Sequence, residues 1–578
     1  MKNLKYHGIR AAVVSSFFML WLTVIGVRAA YLQIYKGDWL SHKAAVQYER
    51  EITLSGKRGT IYDSRHEALA VSIETTSIAA YPGMIENKGS AALELAKALK
   101  MNSKNLNRKL NTKRSFVWIK RPATPKEVAA CKKLNLKGIG FLPEHSRFYP
   151  NTTLAAQVLG FTGIDGHGME GIEHLYDNEL KGAETTVTVF KDALGRGFDS
   201  DRWAAMKQSG NNLVLTIDRH IQYITDRALA DAVTEHKAVS GMAVVMSPQT
   251  GALLAISHYP FFNPNAYAKS DRPVWRNRVI TDQFEPGSTM KIFSAAAALD
   301  SGLSQSGSIF YCENGKYRVG GHMVHDTKPY GWLSLQQIVK FSSNIGAVKL
   351  VEKVGPGVLY DHLRKFGFGL RTGVDCPGES AGSLSNYKRW TTVDTGAIAF
   401  GQGVSVTALQ LITAASSIAN DGVMMKPYVV QAVTDPKGQA VRTFAPEILR
   451  QVITPQTALN IRRIMHSVVT EGGTGVKADV SGYSVSGKTG TAQKIDASGN
   501  YAPKLYVASF LGFAPTDQPA IAVLVIVDEP QINYYGGLVA APAFSRIVRE
   551  TLGYLNVEPT EEYDWKKLRV SREEKVNG

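Results

Sequence analysis

At 578 residues the chain is long enough for two or more domains with full-sized cores. With 44% hydrophobic and 20% charged residues it is an ordinary globular protein, which excludes a disordered or low-complexity chain. A net charge of +16 and a pI near 9.4 imply an anionic neighbour, either a membrane surface, an acidic polymer or nucleic acid. Basic residues read as spread rather than interleaved with aromatics, and no zinc-finger or RNP-like spacing occurs, so no nucleic-acid partner is expected. Cys131, Cys312 and Cys376 are odd in number and far apart, which rules out a full disulfide framework. The 13 histidines include no HExxH, and no metal is expected.

Lys2, Lys5 and Arg10 precede an uncharged run from Ala11 to Val27, 17 positions rich in Val, Phe, Leu and Trp. Continued past Arg28 to Leu32, the run is long enough to span a bilayer, with the arginine snorkelling to its edge. Positive charge ahead of the span places 1–10 in the cytoplasm, 11–32 in the membrane and the remainder outside. A cleaved signal peptide is the alternative, since Val27-Arg28-Ala29 loosely resembles a cleavage site; the long apolar run favours a retained anchor. The exported part would have no ATP.

Residues 33–208 read as a β-rich, non-catalytic pedestal. Glu51 to Leu54 and Ala79 to Tyr81 look strand-like, and Ala91 to Lys100 and Pro125 to Leu134 read as short amphipathic helices. Arg58 to Asp63 and Gly168 to Glu173 are distinctive, but are expected to be turns with solvated charges.

Residues 209–556 should form a second domain, followed by a loose charged tail at 557–578. A strand near Asn211 to Ile217 leads into a helix capped by Asp218 that runs to Val233. Gly241 to Met246 and Ala252 to Ser257 flank a hairpin turn. The middle reads as mostly helix and loop. Strands follow at Ser484 to Gln493, Val507 to Ala514 and Ala520 to Val527, then a helix at Pro542 to Leu555. Early and late strands around a helical middle predict an α/β (α+β) domain whose sheet joins both ends and is flanked by helices.

Three motifs carry chemistry. Phe284-Glu285-Pro286-Gly287-Ser288-Thr289-Met290-Lys291 opens an apolar helix, with Ser288 and Lys291 on one face, about 5–6 Å apart at Cβ. A hydroxyl beside an amine at a buried helix start suits a serine nucleophile, which needs an adjacent base and gains from the positive helix end. A second Ser-x-x-Lys, Ser385 to Lys388, lies in a polar stretch and reads as an ordinary turn. The second motif, Ser342-Ser343-Asn344, reads as a loop leading into a helix; Ser-x-Asn also occurs at Ser209 and Ser498 and means nothing alone. The third, Lys488-Thr489-Gly490-Thr491, has a rival reading, because Gly482 to Thr489 fits the P-loop pattern. A P-loop needs a buried strand before it and a helix after it; this stretch has neither.

Ser288-x-x-Lys291, Ser342-x-Asn344 and Lys488-Thr489-Gly490, at separations of 54 and 146 residues, follow the order of the penicillin-binding and β-lactamase signature set. With the single anchor, Arg58 to Asp63, Arg147 to Pro150, Gly168 to Glu173 and Tyr534 to Gly537, the chain resembles the class B penicillin-binding proteins, specifically the division-specific transpeptidase of FtsI type. The resemblance implies a serine transpeptidase/β-lactamase-like fold acting on D-Ala-D-Ala stem peptides of peptidoglycan, inhibited by β-lactam antibiotics and using no cofactor. It assigns Ser288 as nucleophile, Lys291 as base, Ser342 as proton relay and Asn344 as amide holder. Lys488, Thr489, Gly490 and Thr491 would bind the donor carboxylate, and the Ser288 and Thr491 backbone N–H groups would form the oxyanion hole. It also implies a SEDS-type glycan polymerase (FtsW) and other division proteins as partners, and a periplasmic catalytic domain on a single span of the inner membrane. A serine hydrolase (carboxypeptidase or β-lactamase), an elongation-specific transpeptidase, a β-lactam sensor and a silent division scaffold remain alternatives at this point.

Overall fold

The computed structural model describes residues 2–40, 49–182, 184–190, 209–495 and 500–561, so most of the expected tail and Ser498-Gly499 lie outside the described residues. The chain divides into two compact units, one of residues 1–57, 74–144 and 182–209, the other of 58–73, 145–181 and 210–578.

In the first unit, helix α1 (Lys2–Ala30) contains the apolar run; with the turn after it, Gly8–Tyr35 includes an 18-residue window of mean hydropathy 1.8, none of it buried. It is the one helix among the described residues long and apolar enough to cross a membrane. The later part of strand β1 (Ala68–Ala80) pairs antiparallel with β2 (Val117–Ala123). Helices α2 (Lys88–Leu99), α3 (Ser103–Leu110) and α4 (Pro125–Lys133) pack with it. Each starts on a side-chain cap, Asn87, Asn102 and Thr124, that satisfies an otherwise unpaired N–H. Leu95, Leu99, Leu106, Leu110 and Ile119 form the small core beneath them. The charges here are not spread as expected: between Glu94 and Glu127 lie ten Lys and Arg and no Asp or Glu.

In the second unit, β3 (Asn212–Leu215) leads to helix α5 (Arg219–Glu235), whose first N–H groups donate to the Asp218 carboxylate at 2.8 and 3.2 Å. Strands β4 (Ser240–Met246) and β5 (Leu253–Tyr259) form the expected hairpin. The nucleophile-motif helix is α6 (Met290–Asp300), followed by α7 (Leu335–Phe341) and α8 (Asn344–Val354). The middle is not all helix and loop: β6 (Val430–Thr434) pairs with β3. Then come β7 (Ser486–Ile495), β8 (Tyr501–Ala514), β9 (Ile521–Asp528) and α9 (Ala541–Tyr554).

One five-stranded antiparallel sheet, ordered β7-β8-β9-β4-β5, joins the two ends of this unit. Every residue of β9 is buried, because alternate side chains serve two cores: Ala522, Leu524 and Ile526 lie in the core covered by the helix Ala408–Ala419, while Ile521, Val523 and Val525 lie in the core shared with α5 and α9. That explains a continuous apolar run rather than an alternating one. The sheet is thus sandwiched between helical layers, and β7 is its edge.

Arg58 to Asp63 and Gly168 to Glu173 are not solvated turns. Glu173, fully buried, accepts from Arg58 at 2.6 Å and from Arg147 at 2.5 Å, and Arg58 also holds Asp177 at 2.6 Å. One carboxylate between two guanidiniums survives burial because each charge is paired and hydrogen-bonded. The three cysteines are free and buried.

Candidate active site

Ser288 does not sit in the α-helix proper. It lies in a 3-10 turn, Gly287–Thr289, from which α6 starts, with Gly287 in the left-handed region at φ +54°. The turn is held on both sides: Gly287 N–H donates to Gly401 O at 3.1 Å, and Thr289 Oγ1 donates to Pro286 O at 2.7 Å. One helical turn on, the Lys291 ammonium nitrogen reaches Ser288 Oγ at 3.1 Å, so the pair meets as the spacing implied.

Ser342 joins α7 to α8 in the left-handed conformation, φ +60°, unusual for a residue with a side chain. Its carbonyl and hydroxyl accept from Lys291 Nζ at 2.6 and 3.1 Å, and Asn344 Oδ1 accepts from the same nitrogen at 2.7 Å. Lys488, on β7, reaches Ser342 Oγ at 3.0 Å, so one hydroxyl lies between two amines. Thr489 and Thr491 follow on the same strand, and Thr491 Oγ1 accepts from Gly536 N–H at 3.1 Å. The three motifs therefore converge. Because Lys488 lies in a strand preceded by a short turn at Val476–Ala478, the P-loop reading falls. Ser385 to Lys388 takes no part; its Asn386 caps a turn at Tyr387–Arg389.

A cleft of about 1090 Å³ opens over this cluster, lined by Ser288, Ser342, Asn344, Thr489, Thr491 and Tyr501 among others. Both amines are almost fully buried. Burial pushes Lys291 down to about 7, opposed by the Asp326 carboxylate. Lys488 is held well below its usual range, first by burial and then by repulsion from Lys291. A lysine near neutrality beside a serine hydroxyl can take its proton, which an ordinary lysine at pH 7 cannot.

Three contributors were not legible beforehand. Asp326 accepts from Ser343 Oγ at 2.5 Å and from the Asn344 and Ile345 N–H groups at 2.5 and 3.1 Å, pinning the start of α8 with a charge at its positive end. Thr474 lies 3.2 Å from Thr489 Oγ1. Glu285 accepts from Gly403 N–H at 2.7 Å and from Tyr501 OH at 3.2 Å, tying two cleft walls to the Ser288 turn. No local pattern marks Asp326 or Thr474; Glu285 stood in the nucleophile motif without an assigned role.

Compared with known proteins, residues 241–549 match the family model of the penicillin binding protein transpeptidase domain, and residues 53–215 match that of the penicillin-binding protein dimerisation domain. The chain belongs to the class B penicillin-binding proteins. The relatives of this penicillin-binding protein agree along nearly its whole length. It is 35% identical over 566 residues to the probable peptidoglycan D,D-transpeptidase PenA of Neisseria meningitidis, covering 97% of this chain and 95% of the relative. It is 34% identical over 558 residues to the peptidoglycan D,D-transpeptidase FtsI of Escherichia coli K12, covering 95% and 92%. The crystal structure of penicillin binding protein 3 from Mycobacterium tuberculosis superimposes with a TM-score of 0.69 at 29% identity, covering 89% of this chain and 99% of that one. The enzyme is a serine-type peptidoglycan D,D-transpeptidase, and among the described residues one N-terminal helix is long and apolar enough to cross a membrane.

Proposed function

We propose that Ser288 is the acylated residue and that this penicillin-binding protein cross-links stem peptides at the division septum, with its catalytic unit in the periplasm. The observation that carries the site assignment is the 3.1 Å contact between Lys291 Nζ and Ser288 Oγ beneath an open cleft. Ser288 Oγ bonds to the carbonyl carbon of the penultimate D-alanine, and its proton passes to the neutral Lys291 amine. The C–N bond to the terminal D-alanine then breaks, and Ser342 relays the proton from Lys291 to the leaving nitrogen. An amine from a second stem attacks the ester, returns its proton along the same path and frees Ser288 as the cross-link forms. Asn344 holds the substrate amide. Backbone N–H groups of Ser288 and Thr491 stabilise the oxyanion; loss of one such donor costs on the order of 10²–10³ in rate.

Lys488, Thr489, Gly490 and Thr491 form the subsite for the donor carboxylate. Burial holds Lys488 well below the usual lysine range, and an arriving carboxylate favours its protonated form. A charged Lys488 on the other side of Ser342 Oγ then disfavours protonation of Lys291, so substrate binding itself readies the base. β-Lactams, whose ring presents an acyl bond and a carboxylate in the same relation, acylate Ser288 by the same route. The relative named FtsI supports the septal role and, with it, a SEDS-type glycan polymerase (FtsW) and division proteins as partners.

Intact mass and peptide mapping after fluorescent penicillin test the site. One adduct is expected on the peptide containing Ser288 and none in Ser288→Ala; label on another serine would overturn the assignment. Depletion in the native host should give long cells with unfinished septa, and rounding instead would move the enzyme to the lateral wall.

A further inference from the structure

A strongly basic stretch lies in the unit that does not carry the cleft. Between Glu94 and Glu127 the chain has ten basic residues and no acidic one, against a net charge of +16 for all 578 residues. α2, α3, β2 and α4 share one core, so their polar sides face away from it. Lys97, Lys100, Lys104, Arg108, Lys113 and Arg114 are exposed. Among the described residues none of these six forms an ion pair, and three nearby carboxylates pair with other cations: Glu127 with Lys120 at 2.5 Å, Glu144 with Arg121 at 2.9 Å and Glu86 with Lys137 at 3.6 Å. On α3, Lys104 and Arg108 are like charges at i,i+4, an arrangement that disfavours an isolated helix.

The same surface carries an aromatic strip. Tyr81, Phe116 and Trp118 follow one another at ring-centroid distances of 5.7 and 4.9 Å, and the Arg121 guanidinium lies 4.8 Å over Trp118. Lys109 from α3 donates to Trp118 O at 3.0 Å, so the strip adjoins the basic helix. Asn102, Asn105, Asn107 and Asn111 add exposed amides along and beside α3. One large apolar side chain, Leu93, stands exposed on α2 a turn before Lys97, and none does between residues 95 and 137. A lone leucine supplies neither the apolar face of a membrane-inserting helix nor the apolar centre of a protein interface. Cations, amides and half-buried rings together fit a polymer with carboxylates, hydroxyls and flat C–H faces.

We propose that this face binds polymeric peptidoglycan, its cations pairing with stem-peptide carboxylates and its aromatic strip meeting the sugar rings. It would hold the wall polymer while the cleft acts on individual stems. The inference rests on the transpeptidase reading for the identity of the polymer, not for the existence of the surface.

The test uses the full chain in detergent, first acylated with penicillin so that the cleft is occupied, and co-sedimented with purified sacculi over a range of salt. Retention should fall as salt rises, since exposed pairs are screened. The triple variant Lys104→Glu, Arg108→Glu, Lys113→Glu should bind roughly tenfold more weakly. All three residues are exposed, and unchanged melting with an unchanged penicillin acylation rate would show an intact fold. Soluble glycan strands should release the wild-type protein, whereas poly-glutamate or phosphatidylglycerol vesicles of equal charge should not. Unchanged retention of the variant would overturn the proposal, as would equal competition by poly-glutamate or by vesicles. Failure of the wild type to acylate would count against the function reading instead, so the two failures are distinguishable.

Discussion

Replacing Gly490 by alanine tests whether the close seating of β7 against the Ser288 turn sets the rate. A Cβ at this position would lie 2.2 Å from Ser509 Oγ, 3.0 Å from Thr289 Cγ2 and 3.3 Å from Pro286 O. Ordinary carbon contacts need about 3.5–4.0 Å. The Ser509 hydroxyl can rotate aside. Thr289 and Pro286 cannot, because they belong to the turn that carries Ser288 and are bonded to each other at 2.7 Å. β7 must therefore draw back by several tenths of an ångström, taking Lys488, Thr489 and Thr491 with it. A misplacement of about 1 Å costs on the order of 10²-fold in rate, so a shift of roughly half that predicts about tenfold slower acylation. The overpacking should cost about 1–3 kcal/mol in stability. The assay is the second-order rate of fluorescent-penicillin labelling beside a thermal melt. Gly83→Ala serves as the control, since no atom lies within 4 Å of its Cβ position. A Gly490→Ala enzyme that labels within twofold of wild type, at an unchanged melting temperature, would refute the reasoning.

Acylation should rise with pH along a limb near 7, because Lys291, brought down to about 7 by burial, accepts the Ser288 proton only when neutral. A flat rate from pH 5 to 9 would remove Lys291 as the base. Glu285→Gln keeps the side chain's shape but weakens its bonds to Gly403 and Tyr501, and should slow acylation about three- to tenfold with little change in melting; full activity would confine Glu285 to packing. Glu173→Ala leaves Arg58 and Arg147 buried without their shared carboxylate and should destabilise the second unit by about 3–5 kcal/mol in urea unfolding. An unchanged midpoint would show that water replaces the carboxylate.

Much of the site was legible because its parts are local. Ser288 and Lys291 are three residues apart across the start of α6 and so meet locally, Asp218 caps the helix that follows it, and the apolar run of β9 announces a strand buried on both sides. What escaped was non-local. Asp326 lies 18 residues before Asn344 and in no pattern with it, yet it fixes the start of α8. The middle reads as helix and loop because a five-residue strand such as β6 declares itself only through its partner, here β3. Arg58 and Glu173 passed for solvated charges because neither residue type shows, from its neighbours in sequence, that an opposite charge will arrive 115 residues away.

By themselves the residues determined the reaction type, the order of the motifs, an N-terminal helix long and apolar enough to cross a membrane, and the mixed helix–strand character, since each depends on side-chain chemistry or on short-range periodicity. The tertiary structure alone decided that Lys488 stands across Ser342 from Lys291, that both amines are stripped of water and shifted downward, and that one wall of the cleft is tied to the nucleophile turn through Glu285. Proton affinity in a buried site follows from the distance to other charges and from the loss of solvent, and both are set only when remote segments pack together.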